Sequence, residues 1–150
     1  MTFKTKVTKA KEIKREWHLI NAQDQILGRM AVQVAALLMG KNKTSFVPYL
    51  DGGDYVVVIN AAKVKVTGRK AENKLYYRHS GYPGGFKKVT LAQQMAKDPT
   101  QIVRHAIEGM LPKNKLRDQR LARLKIFSEN KHQYEDKFKK EIKKDGQEKK

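Results

Sequence analysis

The chain has 150 residues, with 33 Lys and Arg against 15 Asp and Glu, a formal net charge of +18, and no cysteine. That length suits one domain of roughly 100–200 residues, and a hydrophobic content of 39% supports a packed core. The missing thiols exclude a disulfide scaffold, a Cys-based zinc site, a thiol nucleophile and an iron–sulfur cluster, and no apolar run approaches the roughly 20 residues of a membrane span.

Residues 1–16 are basic, lack the apolar stretch of a secretory signal, and read as a flexible N-terminal arm. Trp17 to Asn21, aromatic and branched, predicts a strand. Leu27 to Met39 predicts a helix, because Ala31, Val34, Ala35 and Leu38 share one face and Gly40 supplies a stop. Tyr55 to Ile59 is continuously apolar, as suits a strand covered on both faces in a parallel sheet. Lys63 to Thr67 alternates basic with apolar residues and reads as extended, with Gly68-Arg69-Lys70 turning the chain. Lys74 to His79 resumes an extended reading, and Gly81 to Gly85 predicts a loop.

Thr90 is placed to cap a short helix from Leu91 to Lys97. Asp98-Pro99-Thr100-Gln101 carries an N-cap, a first-turn proline and the spacing of a capping box. The stripe Ile102, Val103, Ala106, Ile107 and Met110 then marks a buried helix face. A helix over Lys113 to Arg123 and a last strand over Leu124 to Phe127 follow. Beyond Ser128 little is apolar, which predicts disorder or weak helix. The organisation expected is an arm over 1–16, one α/β domain over 17–130, and a Lys-rich extension over 131–150.

Charge is unevenly shared among these segments. Between residues 17 and 62, Arg29, Lys41 and Lys43 balance Asp24, Asp51 and Asp54, whereas residues 63–90 hold eight basic groups against Glu72. Such a density attracts polyanions, either nucleic acid or an anionic membrane surface. In the second segment Lys63, Lys65, Arg69, Lys70, Lys74, Arg78, Lys87 and Lys88 interleave with Tyr76, Tyr77, Tyr82 and Phe86. Cations neutralise phosphates and aromatic faces stack on unpaired bases, so the pattern points to nucleic acid. If the strand is extended, one of Tyr76 and Tyr77 points inward and the other outward. A solvated basic surface with tyrosines on the core is the blander alternative.

Catalytic and metal chemistry find little support. His18, His79, His105 and His132 lack metal-ligand spacing, and Ser80 has no nucleophile-elbow context. Asp51 and Asp54 flank two glycines and read as a turn. Neither Gly40-Lys41 nor the Gly81 to Lys88 loop matches a Walker or dinucleotide fingerprint. Glycines beside lysines still let a backbone approach a nucleic-acid phosphate.

Several motifs in order resemble the ribosomal protein L13 family of the large subunit. They are Leu27-Gly28-Arg29-Met30-Ala31, Gly40-Lys41-Asn42-Lys43, Asp51 through Ala61, Val66-Thr67-Gly68-Arg69-Lys70, Tyr76 through Gly85, and Ala106 through Lys113. The resemblance covers about Trp17 to His132. Lys131-His132-Gln133-Tyr134 departs from the family's His-Pro-His-like run, and the Lys-rich end is longer than usual.

The resemblance implies a three-layer α/β/α domain around a small, mainly parallel sheet, with basic extensions at both ends. It implies a non-catalytic constituent of the large subunit that binds large-subunit rRNA, supports early assembly and translation, and sits beside other large-subunit proteins in the cytoplasm or an organelle. No cofactor, metal, membrane, small-molecule substrate or homo-oligomer is expected. The expected rRNA contacts are Arg29, Lys41, Lys43, Arg69, Lys70, Lys74, Tyr76, Arg78, His79, Lys87, Lys88, Lys113, Lys115, Arg117, Arg120 and Arg123. The rivals are a nucleotide- or RNA-processing enzyme relying on His79 or Asp54, and a free-standing regulatory RNA binder.

Overall fold

The computed structural model describes residues 8–138. Its centre is the apolar run Tyr55–Ile59 (β2), flanked by Trp17–Asn21 (β1) and by Leu124–Ile126 (β5), both parallel to it. From Val56 to Ile59 every residue of β2 is buried, so both faces are covered, as the unbroken apolar run predicts. The fold is α/β around this small parallel sheet, as expected.

One face packs against two helices, Leu27–Met39 (α1) and Pro99–Met110 (α4), which also contact each other. Met30, Ala31, Val34, Ala35, Leu38 and Met39 of α1 join Val56, Val58, Val103, Ile107 and Leu124 in one apolar core. Burying a Val, Leu or Met fully contributes about 1.5–3 kcal/mol, so this stripe is the main reason α1 is held. Met110 departs from the expected stripe and is 47% exposed, at the very end of α4.

The other face carries Trp17, Tyr55 and Phe127. Trp17 and Tyr55 are register partners and stack with centroids 4.4 Å apart. Tyr134 stacks on Trp17 at 5.3 Å and meets Phe127 at 6.2 Å, while Phe138 closes edge-on over Trp17 at 6.4 Å. Residues 132–138, expected to be disordered or weakly helical, therefore form the cover of this face, with a helical turn over 135–138. Spaced aromatics suffice here where no apolar run is present. Residues 139–150 of the predicted extension and 1–7 of the arm lie outside the described residues. Residues 8–16 dock along the segment 43–54, where Lys43 Nζ donates to Lys14 O (2.7 Å) and Glu16 N–H donates to Asp54 Oδ1 (3.0 Å).

A second unit follows β2. The expected extended run at Lys63 is instead a 3-10 turn, Ala61–Lys63, then an isolated bridge from Lys65 to Ile26. Asn60 takes a left-handed φ of 57° before the turn and is held by its side-chain bond to Asn21 (2.9 Å). Lys70–Asn73 (α2) then leads into an antiparallel hairpin of Leu75–His79 (β3) and Phe86–Thr90 (β4). β4 was not predicted, because its Lys87-Lys88 pair breaks apolar alternation. Leu91–Lys97 (α3) starts at a capping box between Thr90 and Gln93. The box expected at Asp98 is incomplete: Asp98 caps Thr100 N–H (3.0 Å), but the Gln101 carboxamide accepts from Gln94 (3.2 Å). A short helix, Arg117–Ala122 (α5), delivers the chain to β5.

Candidate nucleic-acid interface

The hairpin concentrates the charge. Leu75 to Thr90 holds Arg78, Lys87 and Lys88 and no acidic residue. Arg78 and Lys87 are direct cross-strand partners, and Tyr77 faces Lys88 in the next pair. Like charges placed opposite one another on a hairpin oppose its formation, so an external anion would relieve what the fold imposes. The tip is kept tight by Gly85, where a Cβ would lie 2.0 Å from Ser80 Oγ. Gly81 N–H donates to His79 Nδ1 (2.9 Å), which leaves the neutral ring's proton on Nε2.

The two hairpin faces differ. Tyr76 and Val89 turn toward the body, where Tyr76 stacks on His105 at 5.8 Å and burial raises its phenol above the ordinary tyrosine range. Tyr76 also lines a mainly apolar cleft of about 350 Å³ with Leu27, Leu91 and Ala106, and with Lys70 and Lys74. The outward face carries Tyr77 (63% exposed) stacked on Phe86 (59% exposed) at 5.5 Å. Of the expected contacts, Tyr76 is thus the half-buried member of its pair. Tyr77 and Phe86, absent from the expected contacts, are open to a partner, as is Tyr82 at the tip. Alternation alone could show that the two tyrosines diverge, but not which points out.

Arg69, Lys70 and Lys74 on and beside α2 are exposed, and α2 packs against β4 and α3, so they extend the hairpin's basic surface. Arg29 is exposed in the first turn of α1. Lys41 and Lys113 are exposed on a separate groove between the C-terminal ends of α1 and α4, and Lys115 is exposed on the adjoining loop. Arg117 is tied to Glu108 through an ion pair at 3.0 Å and a bond to its carbonyl at 3.0 Å.

Three expected contacts are engaged by carboxylates of the fold itself. Arg123 is buried and grips both oxygens of Asp51, with Nη2 to Oδ1 at 2.6 Å. Lys43 Nζ is spent on Asp54 and on the carbonyls of Lys14 and Gly52 (3.2 Å). These two serve the loop from Asp51 to Asp54, which needs cations because its carboxylates are removed from water. Arg120 is 2% exposed and meets Asp51 at 3.5 Å, although it also lines the groove of Lys41 and Lys113.

Among the described residues one set of three side chains has the proximity of metal ligands, Glu16, His18 and Asp54. The Lys43 ammonium already supplies the positive charge at Asp54, and His18 Nε2 lies 3.2 Å from its other oxygen. Asp54, 3% exposed and held from three sides, is a structural anchor rather than the free base the enzyme alternative requires. No helix among the described residues is long and apolar enough to cross a membrane.

Residues 15–133 match the family described as ribosomal protein L13. The chain is 55% identical over 129 residues to the large ribosomal subunit protein uL13 of Roseiflexus sp. (strain RS-1), covering 86% of this chain and 88% of the relative. It is 46% identical over 132 residues to the protein of the same description from Pelobacter propionicus, covering 88% and 93%. The corresponding figures for Thermosipho africanus are 49% over 129 residues, 86% and 87%.

Proposed function

Since the chain belongs to the ribosomal protein L13 family, a family of structural large-subunit proteins and not of enzymes, we propose that it binds large-subunit rRNA through the β3–β4 hairpin and the basic surface beside it. The observation that carries this reading is the opposition of Arg78 and Lys87 across an acid-free hairpin. Phosphate contacts from Arg78, Lys87 and Lys88, extended by Arg69, Lys70 and Lys74, position the protein on its RNA without reading sequence. The exposed rings of Tyr77 and Phe86 offer a stacking surface to bases that are not paired.

Binding of this kind would tie together RNA segments as the subunit assembles in the cytoplasm, beside neighbouring ribosomal proteins. Arg29 and Lys115 are exposed and supply further phosphate contacts. Charge reversal of Lys87 and Lys88 tests the proposal in a filter-binding titration with full-length large-subunit rRNA. Each lost phosphate contact lowers the slope of log affinity against log salt by roughly 0.7–0.9, so the double variant should lose between one and two. Unchanged affinity and slope would sink the assignment.

A further inference from the structure

The buried guanidiniums around Asp51 do not balance. Arg120 and Arg123 are both buried, and the Asp51 carboxylate is the one acid paired with either among the described residues. Arg123 takes both carboxylate oxygens. Arg120 is left with a 3.5 Å approach of Nε to Oδ1, and that Nε has no hydrogen-bond partner. A guanidinium keeps its charge at any physiological pH and offers five donors in a fixed plane. Holding one at 2% exposure with its donors unspent is unfavourable unless an acceptor reaches it.

Arg120 lines a groove of about 590 Å³ between the C-terminal ends of α1 and α4. Lys41 and Lys113 stand exposed on its rim, Met39, Phe46 and Pro48 are among its apolar lining residues, and no acidic residue borders it. We propose that this groove is a phosphate site, with Arg120 at its buried end, that receives one phosphodiester of the RNA backbone. Asp51, the one acid near Arg120, is already taken on both oxygens by Arg123, and no acid lines the groove, so its three cations call for an anion. The two non-bridging oxygens of a phosphodiester match the donor fork of a guanidinium, and the apolar lining suits the attached ribose. The assignment rests on the RNA-binding reading above, and adds a second contact built on other elements than the hairpin.

Two measurements test it. Lys41→Gln with Lys113→Gln alters exposed residues only, so folding is not at risk. In filter binding to full-length large-subunit rRNA this variant should bind roughly ten- to a hundredfold more weakly, with a salt slope smaller by about one to two. In parallel, the Arg120 Nε–H resonance of the unsubstituted chain should shift saturably with inorganic phosphate at constant ionic strength. If rRNA binds with full affinity and slope to the double variant, or the Arg120 resonance ignores phosphate, the site is overturned while the hairpin reading stands. If the unsubstituted chain fails to bind rRNA, the RNA reading itself fails, and a phosphate-responsive Arg120 would then mark a free-phosphate site. Crosslinks from Lys113 to a neighbouring protein rather than to RNA in assembled subunits would also overturn the phosphodiester assignment.

Discussion

Arg123 and Asp51, 72 positions apart, are joined by a two-pronged ion pair that ties the start of β5 to the loop before β2. The same guanidinium approaches the Leu38 carbonyl at 3.4 Å, placing a cation at the C-terminal end of α1, where the helix dipole favours one. Removing Asp51 leaves two buried guanidiniums without their acid, and removing Arg123 leaves Asp51 only the 3.5 Å approach of Arg120. Arg123→Met and Asp51→Asn should each lose about 3–5 kcal/mol of unfolding free energy in urea titrations. A loss under 1 kcal/mol in both would show that the pair is not what holds the loop.

Gly53 sits in that loop for reasons of space. A Cβ there would lie 1.8 Å from Leu38 O and 2.5 Å from Leu38 C, both backbone atoms that cannot step aside. Gly53→Ala should therefore cost at least about 3 kcal/mol or prevent folding. Gly28, within α1, has nothing within 4 Å of its would-be Cβ. Gly28→Ala should stabilise the chain by up to about 1 kcal/mol through helix propensity. Equal melting temperatures for the two variants would contradict this contrast.

Asp98 links stability to acid. Hydrogen bonds from Thr100, chiefly from its hydroxyl at 2.6 Å, hold the carboxyl below its ordinary value of 3.8. The native chain thus binds fewer protons than the unfolded chain in the window below that value. The cap's contribution is present above pH ~3.8 and is lost as pH falls through the lowered native value. Asp98→Asn keeps the cap and should flatten the acid limb of the stability profile, whereas Asp98→Ala should cost about 0.5–2 kcal/mol at neutral pH. Identical acid limbs in urea midpoints measured across pH 2–5 would refute the link.

Trp17 is the one tryptophan of the chain, which makes the second face of the sheet measurable. Tyr134 stacks on it, and Phe127 meets Tyr134 from β5's end. Tyr134→Ala should shift Trp17 emission to the red and destabilise by roughly 1–3 kcal/mol. An unmoved spectrum would mean that residues 132–138 do not cover the face in solution.

Sheet and helices were legible where one physical demand dominates. The unbroken Tyr55 to Ile59 run and the Ala31, Val34, Ala35 and Leu38 stripe each state their burial in the residue types alone. Elements set by partners distant in sequence were not. β4 is held by pairing with β3, and its Lys87-Lys88 interior carries no strand signal. Residues 132–138 offer three spaced rings, His132, Tyr134 and Phe138, and the use of the last two depends on Trp17 more than a hundred positions earlier. Arg78, Lys87 and Lys88, which the fold leaves exposed, and Lys43 and Arg123, which it spends on Asp54 and Asp51, look alike in the sequence, and only the burial of those two carboxylates separates them.

The aromatic contacts of the hairpin can be told apart from its cationic ones. Tyr77 and Phe86 stack in the open, and their exposed area is apolar surface that the chain does not need to hold its core. If bases stack there, losing the rings removes about 1–3 kcal/mol per base without removing a phosphate contact. Tyr77→Ala with Phe86→Ala should then weaken rRNA binding roughly tenfold or more while leaving the salt slope unchanged. Lys87 and Lys88 substitutions should change both. The comparison is made in one titration series over salt with the same rRNA. A slope that falls with the rings intact but the lysines gone, and stays level in the reverse case, assigns phosphates to the cations and bases to Tyr77 and Phe86. Full affinity in the aromatic variant would restrict the hairpin to electrostatic contact.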